Sequence, residues 1–495
     1  MEISKPHAVL LSSPGTGHLI PVLELGNRLV THHNFTVTIF VVSSHMSPAE
    51  SQVLQSSLTP KLCDIIELPP VDISGLVEPN AAVVTLLAVM MREVRSSLRS
   101  AISAMKQRPT VLIVDLFGTE SLSIGDEFDM LKYLYCASNA WFLALTIYVP
   151  FLDKLVVGEY VHQKEPLKIP GCNPIQPDDV VDPMLDRTNQ QYFEYLRIGT
   201  EAVMSDGILV NTWEDLQPTI ITALRDKNLL GGIVKVPVHC IGPITRPVSN
   251  AKSTDLFDWL DKQPSESVIY VSFGSGGALS YEQMTEVAWG LELSQQRFVW
   301  VVRPPTVEAA DAAFFTAGKG GDDPLSYLPD GFLTRTQSLG FVVPLWAPQV
   351  DVLNHVSVGG FLSHCGWSST LESITNGVPM IAWPLYAEQK MNATLLTEEI
   401  GVAIRSKVLP SKKVVKREEI ETMVRKIIED KNGNGIRAKV KELKYSAEKA
   451  LSNGGSSHNA LSQVEQECKI SMQRQKRVST QLCEPDYACQ IGVLS

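Results

Sequence analysis

Along this chain, short runs of consecutive apolar residues give way to turns rich in Gly, Ser or Pro. Stretches with apolar positions every three to four residues then follow. The first kind of run, about four to eight residues long, predicts a strand buried on both faces in a parallel sheet. The second predicts an amphipathic helix. Strands are expected at 7–11, 35–42, 110–115, 131–136, 207–211 and 238–244, and again at 267–273, 298–302, 341–344, 358–363 and 378–383. Helices are expected at 18–32, over about 140–151, from 280 to about 293, and at 369–376, 417–430, 435–451 and from about 457. The alternation makes each half a β-α-β array with right-handed crossovers.

The two series of strands are separated by residues 245–253, TRPVSNAKS, which are polar and carry no apolar period. The expected class is therefore α/β, with two doubly wound Rossmann-like domains facing across a cleft. Their bounds are 1–244 and 254–455, joined by the 245–253 linker. Residues 456–470 are expected as a terminal helix that packs back on the first domain, and 471–495 as a disordered tail. Residues 304–323, rich in Ala, Gly and Asp, read as a long exposed loop.

A length of 495 residues supports two cores better than one. The net charge of −11 argues against a surface for nucleic acid or anionic membrane, since either needs a basic face. The run Ala8–Leu11 is too short for the core of a signal peptide, and the longest apolar run, near 140–152, is shorter than the ~20 residues of a membrane span. Eight cysteines lie scattered without zinc spacing, which suits reduced thiols in the cytosol.

Candidate chemistry gathers at predicted strand ends, the edge where ligands bind in open α/β sheets. His18 follows the first strand and Asp115 ends the third. Two readings stand for this pair. It is a dyad, the carboxylate fixing the imidazole tautomer and leaving the other nitrogen as a general base; or Asp115 only caps the next helix and His18 has no special task. Gly15 and Gly17 hint at a dinucleotide fingerprint, but Ile20 stands where the third glycine belongs and no acid ends the second strand. The densest stretch is 346–389. Its strand, its glycine turn at His364-Cys-Gly-Trp, and a helix opening with Ser369 and Glu372 in capping-box spacing form a phosphate-holding geometry. Trp346, Trp367 and Trp383 add flat apolar faces.

Residues 346–389 closely resemble the nucleotide-sugar signature of plant UDP-glycosyltransferases. The resemblance extends through SPGTGH at 13–18, VDLFG at 114–118, GILVNTWEDLQP at 207–218 and VSFGSGG at 271–277. In detail it is most similar to the branch that glucosylates hydroquinone, monolignols and related phenols. It implies the two-domain GT-B arrangement, with the first domain binding the acceptor and the second the UDP-sugar. It implies that Trp346 stacks on uracil while the Ala347 backbone reads the base edge, and that Gln349 and Glu372 hold the ribose. It further implies that His364, Ser369 and the loop at Ser275 meet the diphosphate, and that Trp367, Glu388 and Gln389 hold the sugar. Ser368 stands where the family's commonest turn has asparagine, and its hydroxyl is shorter with one donor in place of two. With the family context, His18 and Asp115 become base and orienting acid of an inverting O-glucosyl transfer from UDP-glucose, with no metal required. Gln389 points to glucose over galactose.

The acceptor is expected to meet Phe117, Asn139, Leu185 and Tyr386, and the protein to act as a cytoplasmic monomer. A phenol or phenylpropanoid is the expected acceptor, with a flavonoid as the alternative. Two other classes are weighed beside this one. An NAD-dependent oxidoreductase is opposed by the broken fingerprint, and an inactive UDP-sugar-binding protein needs a defect that His18 and Asp115 do not show.

Overall fold

The computed structural model describes residues 5–44, 46–57, 62–249, 254–306, 314, 323–429 and 435–482. Most of the 304–323 loop lies outside them. Strands that are apolar on both faces must be covered on both, and here every one pairs in parallel between layers of helices. The first sheet holds β1 (His7–Ser12), β2 (Thr36–Val42), β3 (Asp64–Leu68), β4 (Val111–Asp115), β5 (Leu131–Cys136), β6 (Gly207–Val210) and β7 (Val238–Cys240). Its order is β3-β2-β1-β4-β5-β6-β7. The second holds β8 (Val268–Ser272), β9 (Arg297–Val302), β10 (Gly340–Pro344), β11 (Val358–Ser363), β12 (Met380–Ala382) and β13 (Ala403–Arg405), in the order β10-β9-β8-β11-β12-β13.

Each sheet changes direction beside its first strand. β1 lies between β2 and β4, and β8 between β9 and β11. At such a switch point the two neighbouring strand-to-helix loops diverge and leave a crevice outside the carboxyl ends. Two crevices thus face one another in this fold. Two strands escape the pattern of apolar runs. β3 is an edge strand carrying Asp64 and Glu67 on a largely exposed surface, and β13 has three residues.

The sheets share packing as well as a linker. One contiguous apolar cluster takes in Leu112, Trp141 and Trp213 of the first half and Val268, Phe361 and Leu371 of the second. The helix Ser456–Leu482 returns to the first sheet, where Leu461, Val464 and Cys468 join the cluster around Leu10, Ile113 and Leu209. Tyr133 hydrogen-bonds Glu467 there, and Ser457 Oγ donates to Gly242 O at 2.5 Å. This helix continues beyond 470, against the expectation of a disordered tail from 471. Gln475 donates to the Asp129 carbonyl at 2.5 Å, so the first domain supplies a partner that the sequence pattern does not reveal. The remainder of the expected tail, 483–495, lies outside the described residues.

Candidate active site

The first crevice is built around a helix that begins earlier than expected, at Thr16 (Thr16–His32). Its N-cap is Gly15, at φ +102°, a conformation that residues with a Cβ rarely adopt. A Cβ there would also sit 2.3 Å from the Phe314 ring. The Gly15 N–H donates to Glu50 at 2.5 Å, and the buried Glu50 carboxylate also accepts from the N–H and hydroxyl of Ser47, both at 2.8 Å. The start of the helix carrying His18 is therefore held by Glu50.

β1 and β4 are adjacent, with Leu11 opposite Val114, so the loop after β1 passes over the end of β4. His18 Nδ1 lies 3.8 Å from Asp115 Oδ2. That exceeds a hydrogen bond but is well within charge-pairing range. The Asp115 carboxylate, 1 % exposed, takes its short bonds from Ser13: the backbone N–H at 2.8 Å and the hydroxyl at 2.5 Å. Burial raises its pKa, while His18, Ser13 and the Gly118 backbone pull the other way. Asp115 directly precedes the turn Leu116–Ser121 but gives it no side-chain capping bond; its carboxylate lies instead against Ser13 and, at 3.8 Å, the imidazole. Phe117 packs edge-on against His18, ring centroids 5.2 Å apart. With Nδ1 toward Asp115, Nε2 points away from it.

The second crevice collects the loops after β8 and β11. His364 is buried, and its imidazole is pinned between two glycines. A Cβ at Gly274 would stand 2.3 Å from its Nε2, and one at Gly366 2.4 Å. Burial, then the charge of Arg303, push its pKa from 6.5 down to about 3. It is a neutral ring at pH 7, with Nδ1 lacking a partner among the described residues. The helix Trp367–Asn376 starts at Gly366, which offers no side-chain cap, so its first N–H groups are available to an anion. This replaces the expected capping box. Ser369 lies inside the first turn, and Glu372 bonds elsewhere. Gln349 Nε2 donates to Glu372 Oε2 at 2.7 Å and to Ser369 Oγ at 2.9 Å, while Arg246 Nε meets Glu372 Oε1 at 3.1 Å. Trp346 leaves 57 % of its surface exposed, a large flat apolar face beside these polar groups. Ala347 is buried behind it, and Ser368 is half-buried at the helix start.

The two crevices are tied together. Thr16 Oγ1 donates to Ser275 Oγ at 2.5 Å, and Ser138 Oγ to Glu388 Oε1 at 3.0 Å. Asp182 Oδ2 accepts the Ala387 N–H at 2.5 Å, and Lys390 Nζ lies 3.5 Å from Asp182 Oδ1.

Three expected contacts are narrowed or corrected. Asn139 is fully buried. Its carbonyl caps the helix Ala140–Leu155 through the Phe142 N–H at 2.9 Å, and its amide donates to Asn392 at 2.6 Å, so both ends are engaged inside the protein and no surface is left to meet an acceptor. The Trp367 indole N–H donates to Asn211 O at 2.7 Å inside the domain interface, which leaves only its backbone N–H for a sugar. Gln389 Oε1 accepts from the Leu385 and Tyr386 N–H groups at 2.9 and 3.1 Å, so only its amide nitrogen remains. Leu185 and Tyr386 stay partly exposed.

The sequence reading did not single out Ser13, Glu50, Asp182, Arg246 or Arg303. Ser13 stands inside the SPGTGH motif, and Arg303 at a strand end is a charge on the ligand edge. Arg303 Nε bonds Leu345 O at 3.2 Å, and its Nη1 bonds Gly277 O at 3.2 Å and Gly274 O, stitching the donor-side loops together. Glu50, Asp182 and Arg246 carry no local signal.

Comparison with known proteins bears on this architecture. Residues 234–437 match the family described as UDP-glucoronosyl and UDP-glucosyl transferase. The chain is 64 % identical to anthocyanidin 3-O-glucosyltransferase 5 of Manihot esculenta, over 96 % of this chain and 97 % of that one. The structure of TcCGT1 in complex with UDP superposes with a TM-score of 0.89 at 49 % identity, covering 94 % of this chain and all of that one. That of Phytolacca americana UGT2, complexed with UDP-2fluoro-glucose and pterostilbene, superposes at 0.82 with 39 % identity and the same coverage. Identity at this level over nearly the whole of both chains establishes that the chain belongs to the plant UDP-glycosyltransferases and is a transferase of the GT-B fold.

Proposed function

We propose that this enzyme transfers glucose from UDP-glucose to a hydroxyl of a small phenolic or phenylpropanoid acceptor, such as hydroquinone or a monolignol, giving a β-glucoside. The observation that carries the reading is His18 over the buried Asp115 at one switch point, bridged through Thr16 and Ser275 to the donor crevice at the other. His18 Nε2 takes the acceptor proton as the oxygen attacks the anomeric carbon from the face opposite UDP. The C1–O bond to UDP breaks, its electron pair leaves on the diphosphate, and the products are the inverted glucoside and UDP. Asp115 orients the imidazole and stabilises the imidazolium that forms; a positioned base such as His18 contributes roughly 10²–10⁴ in rate.

On the donor side, Trp346 stacks on uracil beside the Ala347 backbone, and Gln349 and Glu372 hold the ribose. The N–H groups at Ser368 and Ser369, with His364 and Ser275, meet the diphosphate. Because His364 is neutral, the developing negative charge rests on the helix N-terminus rather than on an imidazolium. Glu388, the Gln389 amide and the Trp367 backbone take the sugar hydroxyls. Phe117, Leu185 and Tyr386 wall the acceptor. The enzyme is read as a cytoplasmic monomer that needs no metal; among the described residues, no helix is long and apolar enough to cross a membrane.

A flat aromatic acceptor is supported by the pterostilbene in the Phytolacca complex. A flavonoid is the second reading, favoured by the anthocyanidin named in the Manihot relative. Incubation with UDP-glucose and a panel of phenols, monolignols and flavonols, with products identified by mass, decides between them. The expected product is a phenol or monolignol monoglucoside, formed far more slowly by His18→Ala. Full turnover by that variant on an alcohol acceptor removes the proposed base.

A further inference from the structure

We infer that Arg246 is a donor-positioning residue. From the segment joining the two sheets, it holds the Glu372 carboxylate in the orientation from which that group accepts the ribose hydroxyls of the UDP-sugar. The inference rests on the reading of Glu372 as the ribose-binding acid and adds a residue on which that acid depends.

Glu372 is 2 % exposed and lies on the helix Trp367–Asn376, in the interior of the donor half. Arg246 reaches it from the other side, just past β7 in what the sequence presents as a plain linker. Its Nε stands 3.1 Å from Oε1 and its Nη2 3.5 Å from Oε2, so the planar fork addresses both oxygens together. Glu24 lies on the helix Thr16–His32, the helix that also carries His18; burial raises its pKa, while its hydrogen bond with Asn27 and then the charge of Arg246 pull it back.

The lone pairs show why this matters for the ligand. An ionised carboxylate has about four acceptor sites. The Arg246 fork addresses two of them, and Gln349 Nε2 takes a third at 2.7 Å. When Gln349 turns its amide to the ribose, as its proposed role requires, two sites remain. Two vicinal hydroxyls need that number. The fork can therefore stay in place throughout binding and keep the carboxylate from rotating. A lysine offers a point charge without the fork, and a glutamine offers neither the charge nor the second bond.

The test compares wild type, Arg246→Gln, Arg246→Lys, Glu372→Gln and the double variant Arg246→Gln/Glu372→Gln. UDP affinity is read by calorimetry, and KM for UDP-glucose and for the acceptor by product formation. Arg246→Gln is expected to raise both the UDP Kd and the donor KM about tenfold, the loss of one charge-assisted contact, while acceptor KM stays within about twofold. Arg246→Lys should recover part of the loss. The double variant should bind UDP no more weakly than Glu372→Gln, because Arg246 acts through Glu372. A folded Arg246→Gln with wild-type UDP affinity overturns the inference, as does a double variant in which the two losses simply add. If Arg246→Gln fails to fold, Arg246→Lys decides, and a Kd unchanged from wild type overturns the inference. Wild-type protein that binds no UDP, or Glu372→Gln that binds it normally, overturns the donor-site reading instead.

Discussion

A buried imidazole and a partly exposed one stand at the two crevices. His18 keeps one face open beside Phe117, and its partner carboxylate is held by Ser13; in the proposed mechanism it takes a proton from the acceptor. His364 is enclosed and refuses one. In the unfolded chain its ring titrates near 6.5, and in the folded protein only near 3. Its contribution to stability is thus complete above pH 6.5 and is lost as pH falls from 6.5 toward 3, because the unfolded state takes up a proton that the folded state excludes. Urea unfolding of wild type and His364→Gln over pH 7 to 4 checks this: the stability difference should shift steadily against wild type as pH drops, and a constant difference would refute it. Both histidines were visible in the sequence by their places at strand ends. Their different surroundings were not, because the side chains packed around each ring come from distant parts of the chain.

Among the elements, the loops do the joining. The turn Asp182–Met184 and the loop at 386–390 belong to different halves, yet Asp182 accepts from the Ala387 N–H and pairs with Lys390, directly beside Glu388 and Gln389. Asp182→Asn keeps the shape and weakens the acceptor. The expected result is a several-fold rise in KM for UDP-glucose, about 1 kcal/mol, with UDP affinity less changed. Equal effects on UDP and UDP-glucose would show that the latch does not serve the sugar end. Runs of buried β residues made most strands legible and the period gave several helices, but Pro48–Ser57, Val83–Glu93, Arg95–Ser103 and Gln190–Glu201 were not read from it. The edge strand β3 and the short β13 were not legible either, since neither needs an apolar run. Asn139 illustrates the same limit: its place in the sequence suits a pocket wall, but the helix it caps and Asn392 across the interface claim both ends of its amide.

For the whole molecule, the decisive feature is that the chain returns on itself. The helix Ser456–Leu482 follows the second domain in sequence but buries Leu461, Val464 and Cys468 in the core of the first sheet. Leu461→Ala should therefore destabilise the protein by about 2–5 kcal/mol, the usual range for a buried leucine, and the loss should appear in the unfolding of the acceptor half. Hydrogen exchange resolved by domain would show it; protection lost only around β8–β13 would contradict the packing. The sequence alone determined the α/β class, the two parallel arrays and the ligand edge, because apolar runs, turn residues and helical periods are local properties of the chain. It also carried the signature on which the proposed donor site rests. Only the tertiary structure decided which strands become neighbours at each switch point, and with them the pairing of His18 with Asp115, the grip of Arg246 on Glu372 and the loss of Asn139 to the interface. Those contacts join residues roughly a hundred positions apart or more, and which of many polar groups meet across such distances is fixed by packing rather than by any pattern written along the chain.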